Sequence, residues 1–480
     1  MKKYLQGLLF VFFTAVMPAS AHILLPQILS SGMVLQRDEP VKIWGFGAAG
    51  EEVTVSFAGQ NLATAADASG NWHVTLAAMA ASAEPRVLEI KGSNIIRLEN
   101  VLVGEVWLCS GQSNMEYAMR KLAKIPVPAN KSLGFPKNEA ETATNPLIRI
   151  FLVNRKTLSK PDSIHKSWSV ARDSALRSFS AVGYFFAKEL QHRLGIPVGM
   201  ISSAVSGSAI EPWVPANAFD TEEFFRSRPG NDPGKFYSTM IEPLADFPVR
   251  GFLWYQGETN CFLNEDLSYS YKLKTLISAW RRAWKKQLPF YVVQIAPYDY
   301  STAKGKVALD STTLPRFWEA QAQVLRLPQT GLVVTTDLND KGTELHPGYK
   351  WEIGRRLALQ ALSQTYRQPV AYSGPVFKSA KTRKSTVILS FDYAAGLKSA
   401  DGKPFTGFEL AGQDGVFYPA SAKLSGDRII LSSSAVIRPH QARFAWHERG
   451  HDNLTNATGI PAMPFRTENP LYKKFNPATK

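Results

Sequence analysis

Between residues 22 and 100, apolar and polar residues alternate in short runs. Val41-Lys42-Ile43-Trp44, Val53-Thr54-Val55, Trp72-His73-Val74 and Val87-Leu88-Glu89-Ile90 read as strands, with Gly45, Gly50, residues 67–70 and Gly92 as punctuation. A period of two broken by turn residues predicts a small β-sandwich. From about residue 101 the pattern changes. The runs at 101–108, 198–201, 249–255, 290–295 and 332–335 are short and almost wholly apolar, as parallel strands covered on both faces are. Between them, residues 181–194, 267–284 and 351–362 carry helical spacing; Val182, Phe185, Phe186 and Leu190 share one side of the first. Alternating β and α predicts an α/β fold with a doubly wound parallel sheet and a site at the carboxyl ends of its strands. After about 366 the alternation stops, and 386–391, 407–410, 428–431 and 442–446 predict a β-rich C-terminal region. The expected division is 1–21, 22–100, 101–365 and 366–480.

Residues 1–21 read as a secretory signal: Lys2 and Lys3, an apolar stretch at 8–16, then Ala19-Ser20-Ala21 as cleavage site. The bland alternative is a retained N-terminal anchor, but the stretch is short for a membrane span. A periplasmic or secreted protein is expected, with no membrane partner. Removing this segment takes away two lysines and no acid, so the net charge falls from +15 to +13. Nucleic-acid binding needs a basic stripe on a recognisable fold, and no such fold is legible. The cluster Arg281, Arg282, Lys285 and Lys286 is expected to be a solvated helix face. The two cysteines, Cys109 and Cys261, are read as buried thiols, with a bridge as the alternative.

The densest chemistry lies at Gly104-Glu105-Val106-Trp107-Leu108-Cys109-Ser110-Gly111-Gln112-Ser113-Asn114-Met115. A buried strand runs into Ser-Gly-Gln-Ser-Asn, and a helix is expected over 115–122. A serine at such a junction presents its hydroxyl above the sheet with its N–H near the start of a helix, which suits an acyl-transfer nucleophile. It equally suits a helix cap.

This block resembles the first motif of sialate O-acetylesterases of the SGNH hydrolase superfamily. Trp254-Tyr255-Gln256-Gly257-Glu258-Thr259-Asn260 resembles their Gln-Gly-Glu block. Asp337 through His346-Pro347, then Glu352-Ile353-Gly354-Arg355-Arg356-Leu357-Ala358, resembles their histidine block. Met33-Val34-Leu35-Gln36-Arg37, Phe444-Ala445-Trp446 and residues 459–467 resemble their opening and closing signatures. The likeness spans nearly the whole chain after residue 21, in the expected order.

The resemblance implies a flavodoxin-like catalytic domain, Ser113 as nucleophile and an oxyanion hole from the Ser113 N–H, the Gly207 N–H and a side-chain amide, Gln256 first and Asn260 second. Ester hydrolysis through serine also needs a base. Of eight histidines, only His346 sits in a loop between an expected central strand and a helix. Many SGNH enzymes place an aspartate three residues before the histidine; Thr343 stands there. Asp337 and Glu258 rank first as the orienting carboxylate, ahead of Glu344, with Asp340 and a bare Ser–His pair held by a backbone carbonyl also open. His447, His451 and Asp452 have metal-like spacing but no further ligand cluster, so a surface loop is expected. Trp213, Trp254 and Tyr255 are either faces for a sugar or core.

The resulting expectation is two-step deacetylation of O-acetylated sugars or sialoglycans, needing neither metal nor organic cofactor. An acetyl xylan or other hemicellulose esterase is the alternative within the chemistry. A non-catalytic glycan-binding protein is the alternative outside it.

Overall fold

The computed structural model describes residues 22–153, 167–220, 223–225, 232–305 and 307–478; the expected secretory signal lies outside the described residues. The apolar run near residue 101 is the second half of one long strand, β1 (Ile95–Gly111), buried without a break from Val101 onward. Its first half pairs antiparallel with Ser82–Lys91, and residues 102–104 run parallel with Val34–Gln36. The strand passes through residue 100 uninterrupted, so the N-terminal β-region and the central sheet share it.

The other central strands are β2 (Ile148–Leu152), β3 (Val198–Ala204), β4 (Gly251–Tyr255), β5 (Phe290–Val293) and β6 (Thr330–Val333). Their order is β2-β3-β1-β4-β5-β6, and every neighbouring pair is parallel. The chain winds to one side of β1 and then to the other. Loops leaving the carboxyl ends of β3, β1 and β4 therefore diverge and leave a crevice.

Six helices matter for the site: α1 (Ser113–Glu116), α2 (Ala181–Leu194), α3 (Glu258–Phe262), α4 (Leu267–Ala283), α5 (Thr313–Ala322) and α6 (Lys350–Gln364). Successive strand residues point to opposite faces. Trp107, Cys109, Leu253 and Tyr255 join Val182, Phe186, Ile353 and Leu357 in one core. Leu108, Phe252 and Trp254 join Cys261, Trp280 and Phe317 in the other. Burial of each such large side chain contributes roughly 1.5–3 kcal/mol. The two cysteines sit on opposite faces of the sheet and are free thiols.

In the N-terminal region Val41–Phe46 pairs with Asn71–Leu76, and Glu52–Phe57 lies between Gln60–Ala65 and Ser82–Lys91. Buried Glu105 fastens this region to the sheet, accepting from Arg37, Gln36, Arg250 and Tyr366. The C-terminal region consists mainly of two antiparallel four-stranded sheets around Leu389, Leu410, Leu431 and Phe444. The basic cluster spans the end of α4 and the residues just after it, and it is not the uniformly solvated helix face that its charge led us to expect. Arg281 is buried and donates to the carbonyls of Leu288, Pro328 and Gln329, whereas Arg282, Lys285 and Lys286 reach solvent.

Candidate active site

The end of β1 is shaped by Gly111. Its φ is +140°, and a Cβ there would lie 2.1 Å from the Tyr255 carbonyl oxygen, so only glycine lets the ends of β1 and β4 approach this closely. Gln112 N–H then donates to the same carbonyl at 3.0 Å, and Ser113 opens α1. The helix expected over 115–122 is broken after one turn. Tyr117 is extended, Ala118 forms a bridge with Ser180, and a 3-10 turn follows at Met119–Lys124.

Across the crevice, the loop after β6 carries His346, whose Nε2 lies 2.7 Å from Ser113 Oγ. The ring reaches the surface, yet its pKa is pushed down to about 4. Loss of water on the crevice side is the main cause, and the ammonium groups of Lys350 and Lys121 add to it. His346 is thus a neutral base near pH 7; with the proton on Nδ1, Nε2 accepts from the Ser113 hydroxyl.

None of the four expected carboxylates is hydrogen-bonded to His346, which corrects the expected triad. Asp337 gives its two oxygens to Arg356, at 2.8 and 2.6 Å. Asp340 accepts from the Tyr349 hydroxyl at 2.6 Å and from Ala129 N–H at 3.0 Å. Glu344 is exposed, while the half-buried Leu345 beside it gives its carbonyl to Asn114. Glu258 opens α3 and is buried beneath the site, where one oxygen accepts from Asn114 Nδ2. Burial raises its pKa above the usual carboxylate range.

The expected side-chain oxyanion donors are also turned away from the crevice. Gln256 is fully buried, and its Nε2 donates to Asn260 Oδ1 at 2.7 Å, Gln112 Oε1 at 3.1 Å and the Ser208 carbonyl at 3.2 Å. Asn260 is fully buried too, with Nδ2 on Glu211 at 3.3 Å. Both amides brace the crevice from behind. Two backbone donors remain: the N–H groups of Ser113 and Gly207 have no acceptor among the described residues. Gly207 has φ +73° and open space in front of its Cα, and its loop is held by Ser206 N–H on Glu116 at 2.8 Å. Trp213, Trp254 and Tyr255 are wholly buried, so they are core and not sugar platforms.

A family model described as carbohydrate esterase, sialic acid-specific acetylesterase, matches residues 103–363, the stretch that holds Ser113, Gly207, Gln256 and His346. The chain belongs to that family. The sialate O-acetylesterase of Rattus norvegicus is 27% identical, the match covering 86% of this chain and 88% of the relative. The Homo sapiens enzyme is 27% identical over 76% of this chain and 75% of its own. A carbohydrate acetylesterase from Xanthomonas citri, known from its crystal structure, has a TM-score of 0.82 and 36% identity. It covers 93% of this chain and 100% of its own. The protein is accordingly a carbohydrate acetylesterase by family, and its parallel sheet flanked by helices is the fold of that group.

Two residues at the site escaped the sequence reading. Asn114 stands inside the serine motif, which was the available signal. Lys350 had none, because a lysine in the first turn of a helix reads as solvated, yet here it is fully buried.

Proposed function

We propose that the protein is a sialate O-acetylesterase in which Ser113 is the nucleophile and His346 the general base. The observation that carries this reading is the 2.7 Å approach of His346 Nε2 to Ser113 Oγ at the point where the winding of the sheet reverses. His346 takes the hydroxyl proton as Oγ attacks the acetyl carbonyl carbon. The N–H groups of Ser113 and Gly207 receive the charge on the carbonyl oxygen, and each such donor is worth about a hundredfold to a thousandfold in rate. The imidazolium returns its proton to the departing sugar oxygen, leaving acetyl-Ser113. Water, deprotonated by the same ring, then attacks the acyl carbon, and acetate leaves as Oγ regains its proton.

The choice of an acidic sugar is supported by the family match and by Lys121, an exposed ammonium close enough to His346 to lower its pKa. Export through residues 1–21 belongs to the same proposal, since sialoglycans and plant polysaccharides lie outside the cytoplasm; N-terminal sequencing of the periplasmic or secreted fraction, with His22 as first residue, tests it.

Acetate release from O-acetylated sialic acid and from acetylated xylan, compared for wild type and Ser113→Ala, tests the function. Release from the sialic acid that vanishes in the variant is expected. Release mainly from xylan would keep the chemistry and overturn the sugar. Release that persists in Ser113→Ala would overturn the mechanism. Stoichiometric labelling by a serine-directed phosphonate separates an esterase from a glycan-binding protein.

A further inference from the structure

His346 lacks the carboxylate that usually fixes such a ring, yet it stands in register with Ser113. Beneath the pair lies a buried acid and a buried amine that do not touch each other. Lys350, at the start of α6, is fully buried, with its ammonium 5.0 Å from the Tyr117 ring centroid and 5.4 Å from that of Tyr255. Glu258 is buried as well, and one of its oxygens has no hydrogen-bond partner. The Asn114 side chain lies between them. Its Oδ1 accepts from Lys350 Nζ at 2.6 Å, and its Nδ2 donates to Glu258 and, at 3.0 Å, to the carbonyl of Leu345.

While Lys350 is an ammonium and Glu258 a carboxylate, the two charges leave the amide a single orientation. Turning it over would set its NH₂ against the ammonium and its oxygen against the carboxylate, and in a low-dielectric interior both contacts are strongly unfavourable. Nδ2 is therefore obliged to donate to Leu345, the residue before His346, while the backbone of Asn114 continues directly from Ser113. One side chain thus ties together the neighbours of both reacting groups.

We infer that Glu258, Asn114 and Lys350 form a buried bracket that holds His346 in register with Ser113, performing the positional task of a triad carboxylate without touching the reacting atoms. All three are positioning residues, and the inference rests on Ser113 and His346 being the nucleophile and base. The bracket also has an electrostatic signature. His346 is faced by Lys350 from α6 and by Lys121 from the turn at Met119–Lys124. Both amines lie over the Tyr117 ring, 5.0 and 5.1 Å from its centroid, and Glu344 is close enough to raise the pKa of its hydroxyl. A triad carboxylate would favour the imidazolium, whereas this bracket disfavours it. Lys350 itself, with a pKa pushed down to about 7 by burial, is charged throughout the range in which His346 titrates.

The test compares Asn114→Ala, Lys350→Met and the charge-neutral pair Glu258→Gln/Lys350→Met with wild type, recording kcat, KM and the pH dependence of kcat/KM. Asn114→Ala is expected to lower kcat by about tenfold to a hundredfold with KM little changed, as a base displaced by a fraction of an ångström should. In Lys350→Met the acid limb of kcat/KM should move to higher pH, because an imidazolium no longer faces that ammonium. If the single variant fails to fold, the double variant, which leaves no unpaired buried charge, must show the same shift. Wild-type kcat in Asn114→Ala, or an acid limb unmoved in the folded lysine variants, would overturn the bracket. Ser113→Ala keeps the two readings distinguishable: an inactive Ser113→Ala beside an unimpaired Asn114→Ala removes only the bracket, whereas an active Ser113→Ala removes the site itself.

Discussion

Asp337 gives its two carboxylate oxygens to the guanidinium of Arg356, a fork-to-fork pair that engages the acid with α6 instead of His346. Arg356 is almost wholly buried and also meets Glu352 at 2.8 Å. The pair thus satisfies a buried cation and pins the start of the loop after β6 to α6.

Asp337→Asn should therefore behave as a stability variant. Removing one partner of a buried ion pair leaves the other undercompensated, and with Glu352 still present the cost should be about 1–3 kcal/mol. Denaturant unfolding should show this loss, while turnover at 25 °C stays within about threefold of wild type. A turnover rate lowered a thousandfold or more at full stability would restore Asp337 as the triad acid.

Gln256 separates two roles in the same way. As an oxyanion donor it would be needed only in the transition state, and its removal would cost rate without cost in stability. As a brace donating to Gln112, Ser208 and Asn260, its replacement by methionine removes three buried hydrogen bonds; Gln112 and Asn260 keep backbone donors from Gly257 and Ile210, the Ser208 carbonyl loses this one, and the cost is about 1–3 kcal/mol of folding stability. Thermal unfolding of Gln256→Met should show a clearly lowered midpoint. An unchanged midpoint with kcat reduced a hundredfold or more would return Gln256 to the oxyanion hole.

The contrast between these residues and the strands explains what was legible in the sequence. Central parallel strands announce themselves because both faces are buried, so β1, β3, β4, β5 and β6 appear as apolar runs. β2 did not, because its second residue is Arg149. That guanidinium is buried and donates to the carbonyls of Pro146 and Gly32, which a pattern of apolar and polar letters cannot convey. Gln60–Ala65 escaped because it alternates between half-exposed and exposed residues and shows no apolar face. Ser113 and His346 could be singled out because the serine and histidine blocks resemble those of a known family and both follow central strands, at the end of a doubly wound sheet where its crevice opens. The partner of a carboxylate is a different matter. Asp337, Glu258 and Asp340 each had a closer or stronger donor than His346, and only the folded chain shows which. The Arg355-Arg356 pair inside the histidine block was the one hint that an acid upstream was already engaged.

The two thiols offer a simple check on the sheet. Cys109 and Cys261 belong to cores on opposite faces, and burial pushes the Cys109 thiol up to about 12 and that of Cys261 upward as well. Because the thiolate is the reactive form, the folded protein should react negligibly with a thiol-exchange reagent at pH 8. In denaturant, without reductant, two equivalents should react. Finding none under those conditions would mean that the cysteines are bridged and that the faces assigned to them are wrong.

With His346 as the proposed base, the pH dependence of the reaction follows from its titration. Serine attack needs the neutral ring, and kcat/KM reports the pKa of the free enzyme's base. Here the folded-state value is about 4, below the ordinary 6.5, because crevice burial, Lys350 and Lys121 all disfavour the imidazolium. The sign is then set: lowering the pH from 7 should leave kcat/KM almost unchanged until about pH 5, and the rate should fall tenfold per pH unit only below about 4. A histidine with an unshifted pKa would retain only about a tenth of its activity at pH 5.5. The folded protein also binds a proton at this site less readily than the unfolded chain does. The site therefore costs no stability above about pH 6.5 and an increasing amount as the pH falls from there toward 4. Rates should accordingly be read from short assays, with circular dichroism at each pH showing that the fold persists. An acid limb at 6 to 7 in folded protein would mean that His346 has a carboxylate partner or better solvation in solution, and would remove the electrostatic role assigned to Lys350.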